Sequence, residues 1–229
     1  MRGRNALEDR GRCREGRVSV KTDEGPVVCV VDDDPSVLKA LGRLLRSEGY
    51  EVETFSSAED FLDFQHPELW GCLVLDVDMP KLSGLELQER MAARGIALPV
   101  IFITGHGTVP MSVRAMKAGA VDFLQKPFLD EELLAVITRA VARDRQVKRE
   151  QRQLQELRAR LKCLTPREHE VFRLVVTGML NKQIAFDLGT TEKTVKVHRA
   201  RVMRKIGADS LADLVRIADK LGISSSGVK

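Results

Sequence analysis

Apolar runs in this chain end abruptly in groups that could do chemistry. VVCVV (27–31) stops at three consecutive acids, Asp32, Asp33 and Asp34, and GCLVLD (71–76) stops at Asp76, with Asp78 two residues on. PVIFIT (99–104) ends in the hydroxyl of Thr104, and DFLQK (122–126) in the ammonium of Lys126. One carboxylate at a strand end serves equally well as a helix cap or a solvated edge. Several brought together repel one another unless a cation neutralises them, and a hard ion such as Mg²⁺ prefers oxygen ligands and joins carboxylates to phosphate. A lysine and a threonine beside such a site would bind further phosphoryl oxygens. The sequence has neither a P-loop nor a Gly-rich nucleotide fingerprint, so the phosphate need not arrive as bound ATP.

The elements around these groups alternate. PSVLKALGRLLRSEG (35–49) puts Val37, Leu38, Leu41, Leu44 and Leu45 on one helical face, with Pro35 opening the helix and Gly49 ending it. EVETF (51–55) precedes a helix expected to open at Ser56, with Glu59 at capping-box spacing. GCLVLD precedes GLELQERMAAR, PVIFIT precedes VPMSVRAMKAG, and DFLQK precedes LDEELLAVITRAVAR. Five strand-helix units with near-continuous apolar strands predict an α/β doubly wound, parallel five-stranded sheet covered on both faces. Such sheets bind ligands beyond the carboxyl ends of their strands, so Asp32, Asp33, Asp76, Thr104 and Lys126 converge on one edge.

Composition limits the remaining possibilities. The chain has 229 residues, enough for one large or two modest domains. Its longest apolar runs, VVCVV and LPVIFI (98–103), are too short to cross a bilayer, and the N-terminus lacks a signal-peptide core, which points to the cytoplasm and no membrane partner. Cys13, Cys29, Cys72 and Cys163 lack the close pairing of zinc or redox motifs; Cys29 and Cys72 read as small buried strand residues. His66 and His169 read as surface positions, His106 as a turn residue, and Met111, Val113 and Met116 as packing residues. Residues 1–25 are Arg-rich, poor in apolar residues and expected to be disordered; a natural start at Val18 would exclude most of them.

Charge divides the chain. Of 37 Lys/Arg and 33 Asp/Glu, residues 144–229 hold 19 and 10, leaving 18 and 23 before them. A basic C-terminal part suits nucleic acid or an acidic membrane, and an acidic N-terminal part a divalent cation. The expected divisions are 1–25, a first domain at 26–143, a helical linker at 144–163 and an all-α domain of four helices at 164–229. Val147, Leu154, Leu157, Leu161 and Leu164 follow approximate heptad spacing, which fits a short coiled coil or an intramolecular docking helix. Thr165, Pro166 and Glu168 form a complete capping-box signature. NKQIAFDLG, expected to be capped by Asn181, meets TEKTVKVHRARVMRKIG across a tight Gly189-Thr190-Thr191 turn, as in a helix-turn-helix. The latter helix turns Val195, Val202 and Ile206 one way and Lys193, Lys196, Val197, Ala200, Arg201 and Arg204 the other. Small apolar residues ringed by cations suit close approach to base edges with phosphate contacts around them.

VVCVVDDDPSV, LVLDVDMPKLSG, IFITGHG and FLQKPF, in that order and spacing, resemble the receiver domain of two-component response regulators. The resemblance implies that Asp76 is the phosphoacceptor, that Asp32 and Asp33 help it hold Mg²⁺ together with the backbone carbonyl of Asp78, that Thr104 and Lys126 are switch and catalytic residues, and that Phe123 follows Thr104 inward. LTPREHEVFRLVVTGMLNKQIAFDLGTTEKTVKVHRARVMRKIGADS resembles the LuxR-type helix-turn-helix, and the two parts together resemble the NarL/FixJ subfamily. A phosphorylation-controlled transcription regulator is implied, with a sensor histidine kinase, double-stranded DNA and RNA polymerase as partners, a phosphorylation-dependent homodimer, and no turnover chemistry beyond its own phosphorylation and dephosphorylation. Two alternatives remain. One is a DNA-binding regulator switched without phosphate; the other is a haloacid-dehalogenase-like phosphatase, whose motif Asp76-x-Asp78 also begins.

Overall fold

The computed structural model describes residues 25–64 and 70–223. The expected disorder of residues 1–25 falls almost wholly outside them, as do Cys13, His66 and residues 224–229. Two compact units divide between Arg149 and Glu150.

The first unit alternates β1 (Val27–Val31), α1 (Pro35–Ser47), β2 (Glu51–Phe55), α2 (Ala58–Asp63), β3 (Gly71–Asp76), α3 (Gly84–Ala93), β4 (Val100–Thr104), α4 (Val109–Lys117) and β5 (Asp122–Gln125), followed by α5 (Asp130–Lys162). The five strands are all parallel in the order β2-β1-β3-β4-β5. Because successive side chains alternate across the sheet, each strand feeds two cores. Cys29, Val31, Leu73, Leu75 and Phe102 pack on one face, and Val28, Val30, Val74, Ile101 and Ile103 on the other. The order reverses between β1 and β3, which opens the ligand crevice of such sheets at the ends of those two strands. Burial pushes the Cys29 thiol up to about 12 and raises that of Cys72 as well, so both behave as inert core residues.

Three expectations need correction. Ser57, not Ser56, caps α2, accepting the Asp60 amide hydrogen at 3.1 Å; two adjacent serines made the start ambiguous by one residue. Met111 is half-buried against the core, but Val113 and Met116 are each nearly half exposed and lie with Val109 along one stripe of α4. Apolar character alone does not say which of two apolar faces meets the sheet. Asn181 is not a cap but the first residue of its helix, whose N-cap is Leu180.

The second unit packs α6 (Pro166–Val176), α7 (Asn181–Asp187), α8 (Glu192–Ile206) and α9 (Leu211–Lys220) around Val171, Phe172, Ile184, Val195, Val202, Ile206 and Leu214. Leu161 and Leu164 pack against this core, which favours docking over a free coiled-coil seam for that end of the heptad pattern. His169 is half-buried with its ring against Phe172.

Candidate functional site

The crevice assembles from strand ends. Asp32 follows β1, Asp76 closes β3, Thr104 closes β4 and Lys126 follows β5. Asp32, Asp76 and Thr104 are all buried. One carboxylate oxygen each from Asp32, Asp33 and Asp76 lies within 4.8 Å of the others. Asp33 is exposed, and the third acid of the run, Asp34, instead caps α1 by accepting the Ser36 amide hydrogen at 2.8 Å. Three oxygen donors this close form a set that fits Mg²⁺, a hard cation that retains several waters.

Lys126 bridges the acids. Its Nζ is 2.6 Å from Asp32 Oδ2 and 3.7 Å from Asp76 Oδ1. Asp76 Oδ1 also accepts the Val77 amide hydrogen at 2.9 Å, and Asp32 Oδ1 that of Asp34 at 2.9 Å. Burial pushes the Asp76 carboxyl from its ordinary 3.8 up to about 6; Lys126 and the Val77 amide oppose the rise, and Asp32 and Asp78 add to it. A carboxylate destabilised in this way gains from any cation or covalent change that relieves its charge.

Close packing fixes the end of β3. A Cβ on Gly84, the first residue of α3, would stand 2.2 Å from the Asp76 carbonyl oxygen, so only glycine lets α3 begin there. The Gly84 amide donates to the Val77 carbonyl at 3.0 Å, and Ser83 and Glu86 complete a capping box. Nothing in the apolar periodicity marks this contact; the Ser-Gly after the acids was its only visible sign.

The sequence reading missed what the Asp78 side chain does. The Thr104 hydroxyl donates to Asp78 Oδ2 at 3.0 Å and accepts the His106 amide hydrogen at 3.1 Å. Phe123 lies half-buried beside Phe102, with ring centroids 6.2 Å apart. A Cβ on Gly107 would meet the Phe123 ring at 2.9 Å and Thr104 Cγ2 at 3.1 Å, so these three residues share one tight space.

In the second unit, α8 is braced from three sides. Lys205 donates to buried Glu168 at 2.6 Å, Arg199 to Asn181 Oδ1 at 3.1 Å, and Arg160 to the Ile206 carbonyl at 3.1 Å. Glu168 accepts the Thr165 amide hydrogen as well, so one carboxylate serves both the α6 cap and the hold on α8. Thr191 caps α8, and Gly207 ends it in the left-handed region. Val195, Val202 and Ile206 are fully buried, while Lys193, Lys196, Val197, Ala200, Arg201 and Arg204 are all exposed. Lys196 pairs with Glu192 at 3.1 Å, an exposed contact that a competing phosphate would displace at small cost.

Two family descriptions match the chain: the response regulator receiver domain over residues 28–138 and the bacterial regulatory proteins of the luxR family over residues 162–218. The chain is 50% identical over 200 residues to Nodulation protein W of Bradyrhizobium diazoefficiens, spanning 87% of this chain and 88% of that one. It is 45% identical over 197 residues to the transcriptional regulatory protein FixJ of Azorhizobium caulinodans, spanning 86% and 93%. The chain belongs to the FixJ family of two-component response regulators. The solved structure of the response regulator StyR is 48% identical and matches with a TM-score of 0.81 over 86% of this chain and 99% of that one. In a response regulator of this family a phosphorylated receiver controls a LuxR-type DNA-binding transcription regulator, so a kinase and DNA are its partners. It is a regulator rather than a turnover enzyme, and the phosphatase reading falls with the assignment. Among the described residues no helix is long and apolar enough to cross a membrane.

Proposed function

We propose that this response regulator takes a phosphoryl group onto Asp76 from a sensor histidine kinase in the cytoplasm and then binds paired DNA half-sites as a dimer. The observation that carries the site is Lys126, whose ammonium faces both Asp32 and Asp76 at the switch point of a parallel sheet. Asp32, Asp33, Asp76 and the backbone carbonyl of Asp78 would hold Mg²⁺, which when bound offsets the charge of the carboxylates and of the transferring group. The Asp76 carboxylate forms the new O–P bond while the bond from phosphorus to the donor nitrogen breaks and the nitrogen keeps the electron pair. Asp32 orients Lys126, and Lys126 stabilises charge on the phosphoryl oxygens. Thr104 then donates its hydroxyl proton to the phosphoryl group, and Phe123 moves into the space Thr104 leaves. These movements alter α4 and β5, where Val109, Val113 and Met116 offer an exposed apolar stripe for a second copy.

For DNA, the exposed face of α8 supports entry into the major groove. Val197 and Ala200 would approach base edges, Lys196 a base near the helix start, and Lys193, Arg201 and Arg204 the phosphates. The domain divisions proposed are the receiver, the helical linker and the DNA-binding domain at 26–143, 144–163 and 164–229, preceded by the Arg-rich extension.

Acetyl phosphate with Mg²⁺ tests the reading. Intact mass should show one labile phosphoryl group on the wild-type chain and none on Asp76→Asn. Undiminished labelling of the variant would move the acceptor elsewhere, and DNA affinity unchanged by full labelling would favour switching without phosphate.

A further inference from the structure

The hydroxyl of Thr104 has one proton, and that proton is already committed. It points to Asp78 Oδ2 at 3.0 Å, while the hydroxyl oxygen accepts from the His106 amide. A threonine hydroxyl can donate a single hydrogen bond at a time. Thr104 is fully buried, so bulk water does not stand in when the bond breaks. Its acceptor is a carboxylate, and hydrogen bonds to ionised groups are about twice as strong as neutral ones. We propose that Asp78 is a positioning residue that competes with the phosphoryl group for Thr104, holding the receiver in its resting arrangement and setting how much phosphorylation is needed to switch it.

The inference rests on the reading of Asp76 as acceptor. A phosphoryl group there needs the Thr104 hydroxyl as a donor, and it gains that hydrogen bond only when the one to Asp78 breaks. The release has a mechanical outlet, because Thr104 Cγ2 shares its space with Gly107 and the Phe123 ring. While Asp78 holds the hydroxyl, Thr104 Cγ2 keeps its place in that shared space; when the hydroxyl turns away, Cγ2 swings with it and room opens on the Phe123 side. Asp78 also adds a further negative charge two residues from the acceptor. That repulsion is a separate effect, and the test must divide the two.

Beryllofluoride, which mimics a phosphoryl group on a carboxylate, allows an equilibrium measurement on the full chain with Mg²⁺, followed by ¹⁹F resonance. Asp78→Ala leaves the backbone carbonyl in place and should tighten beryllofluoride binding by about 5- to 30-fold, less than the full strength of a charge-assisted hydrogen bond because Asp78 is exposed to water. Asp78→Asn retains an acceptor for Thr104 and should remain closer to wild type than to Asp78→Ala. In a Thr104→Val background, where no hydroxyl remains to be held, Asp78→Ala should keep only the smaller tightening that relief of its repulsion supplies. Equal affinity of wild type and Asp78→Ala overturns the proposal, and so does an undiminished gain in the Thr104→Val background, which would assign the effect to charge alone. If wild type fails to bind beryllofluoride, or Asp76→Asn binds it equally well, the reading of Asp76 is wrong and the competition falls with it.

Discussion

Asp144 on α5 accepts the Gly71 amide hydrogen at 2.8 Å, so a helix fixes the first residue of the strand that ends in Asp76. The carboxylate is buried and its same oxygen accepts from Lys148 at 2.9 Å. Gly71 itself cannot be replaced without movement, since a Cβ there would stand 1.9 Å from the Val27 carbonyl oxygen. Asp144→Ala should therefore cost about 2–4 kcal/mol of receiver stability, because it leaves a buried amide without its acceptor. Asp144→Asn should cost about half as much. Urea unfolding followed by the fluorescence of Trp70, the chain's only tryptophan and the neighbour of Gly71, measures both.

Asp76 makes stability depend on pH in a definite direction. Its folded value near 6 lies above the ordinary 3.8, so protonation favours the fold: that contribution is full below about pH 4 and is lost as pH rises through about 6. Without divalent cations, Asp76→Asn should exceed wild type at pH 7.5 by on the order of 1–3 kcal/mol, and the difference should close between pH 6 and 4. Mg²⁺ at pH 7.5 should raise the wild-type midpoint and leave the variant nearly unmoved. A difference independent of pH would assign the gain to some other property of the amide.

Gly84→Ala places a methyl group against the Asp76 carbonyl and should cost about 2–4 kcal/mol while slowing the labelling of Asp76. Gly105→Ala is the control. Nothing lies within 4 Å of a Cβ there, so stability should change by no more than about 0.5 kcal/mol. Equal effects of the two substitutions would remove the close approach from the account.

Salt separates the roles on α8. If Arg204 contacts phosphate, Arg204→Ala should weaken binding to operator and random duplexes alike and reduce the salt slope by about one per protomer contact. Val197→Ala should alter preference at particular base pairs with little change in slope. Lys196→Ala should relax sequence preference, whereas an equal loss on all duplexes would reassign Lys196 to the backbone.

The strand-helix order and the convergence of the acids were legible because apolar runs of period-independent burial alternate with amphipathic helices, and parallel strands all end on one edge. Caps such as Thr165 were legible from local chemistry. Ser57 was not, because Ser56 beside it offers the same hydroxyl. The Thr104–Asp78 bond joins two strand ends 26 residues apart, and the Asp144–Gly71 bond spans 73, so no local pattern announces either. A mid-helix aspartate amid Arg-rich residues reads as a solvated charge until tertiary packing buries it. Val113 and Met116 failed for the opposite reason: their chemistry suggested burial, and only the placement of α4 on the sheet decides which side of the helix is covered.

The run Asp32-Asp33-Asp34 has a consequence for how this chain can vary. Three identical neighbours obey three different rules. Asp34 serves as a cap, so Ser, Thr or Asn would do nearly as well. Asp33 stands exposed in the acidic cluster, where charge and reach matter more than an exact hydrogen bond. Asp32 is buried, with one oxygen on Lys126 and the other on the Asp34 amide; an amide would give up the charge and a longer acid would overfill the space. Saturation mutagenesis scored by switching should thus give a broad alphabet at the third position, a narrow acidic one at the second and a single letter at the first.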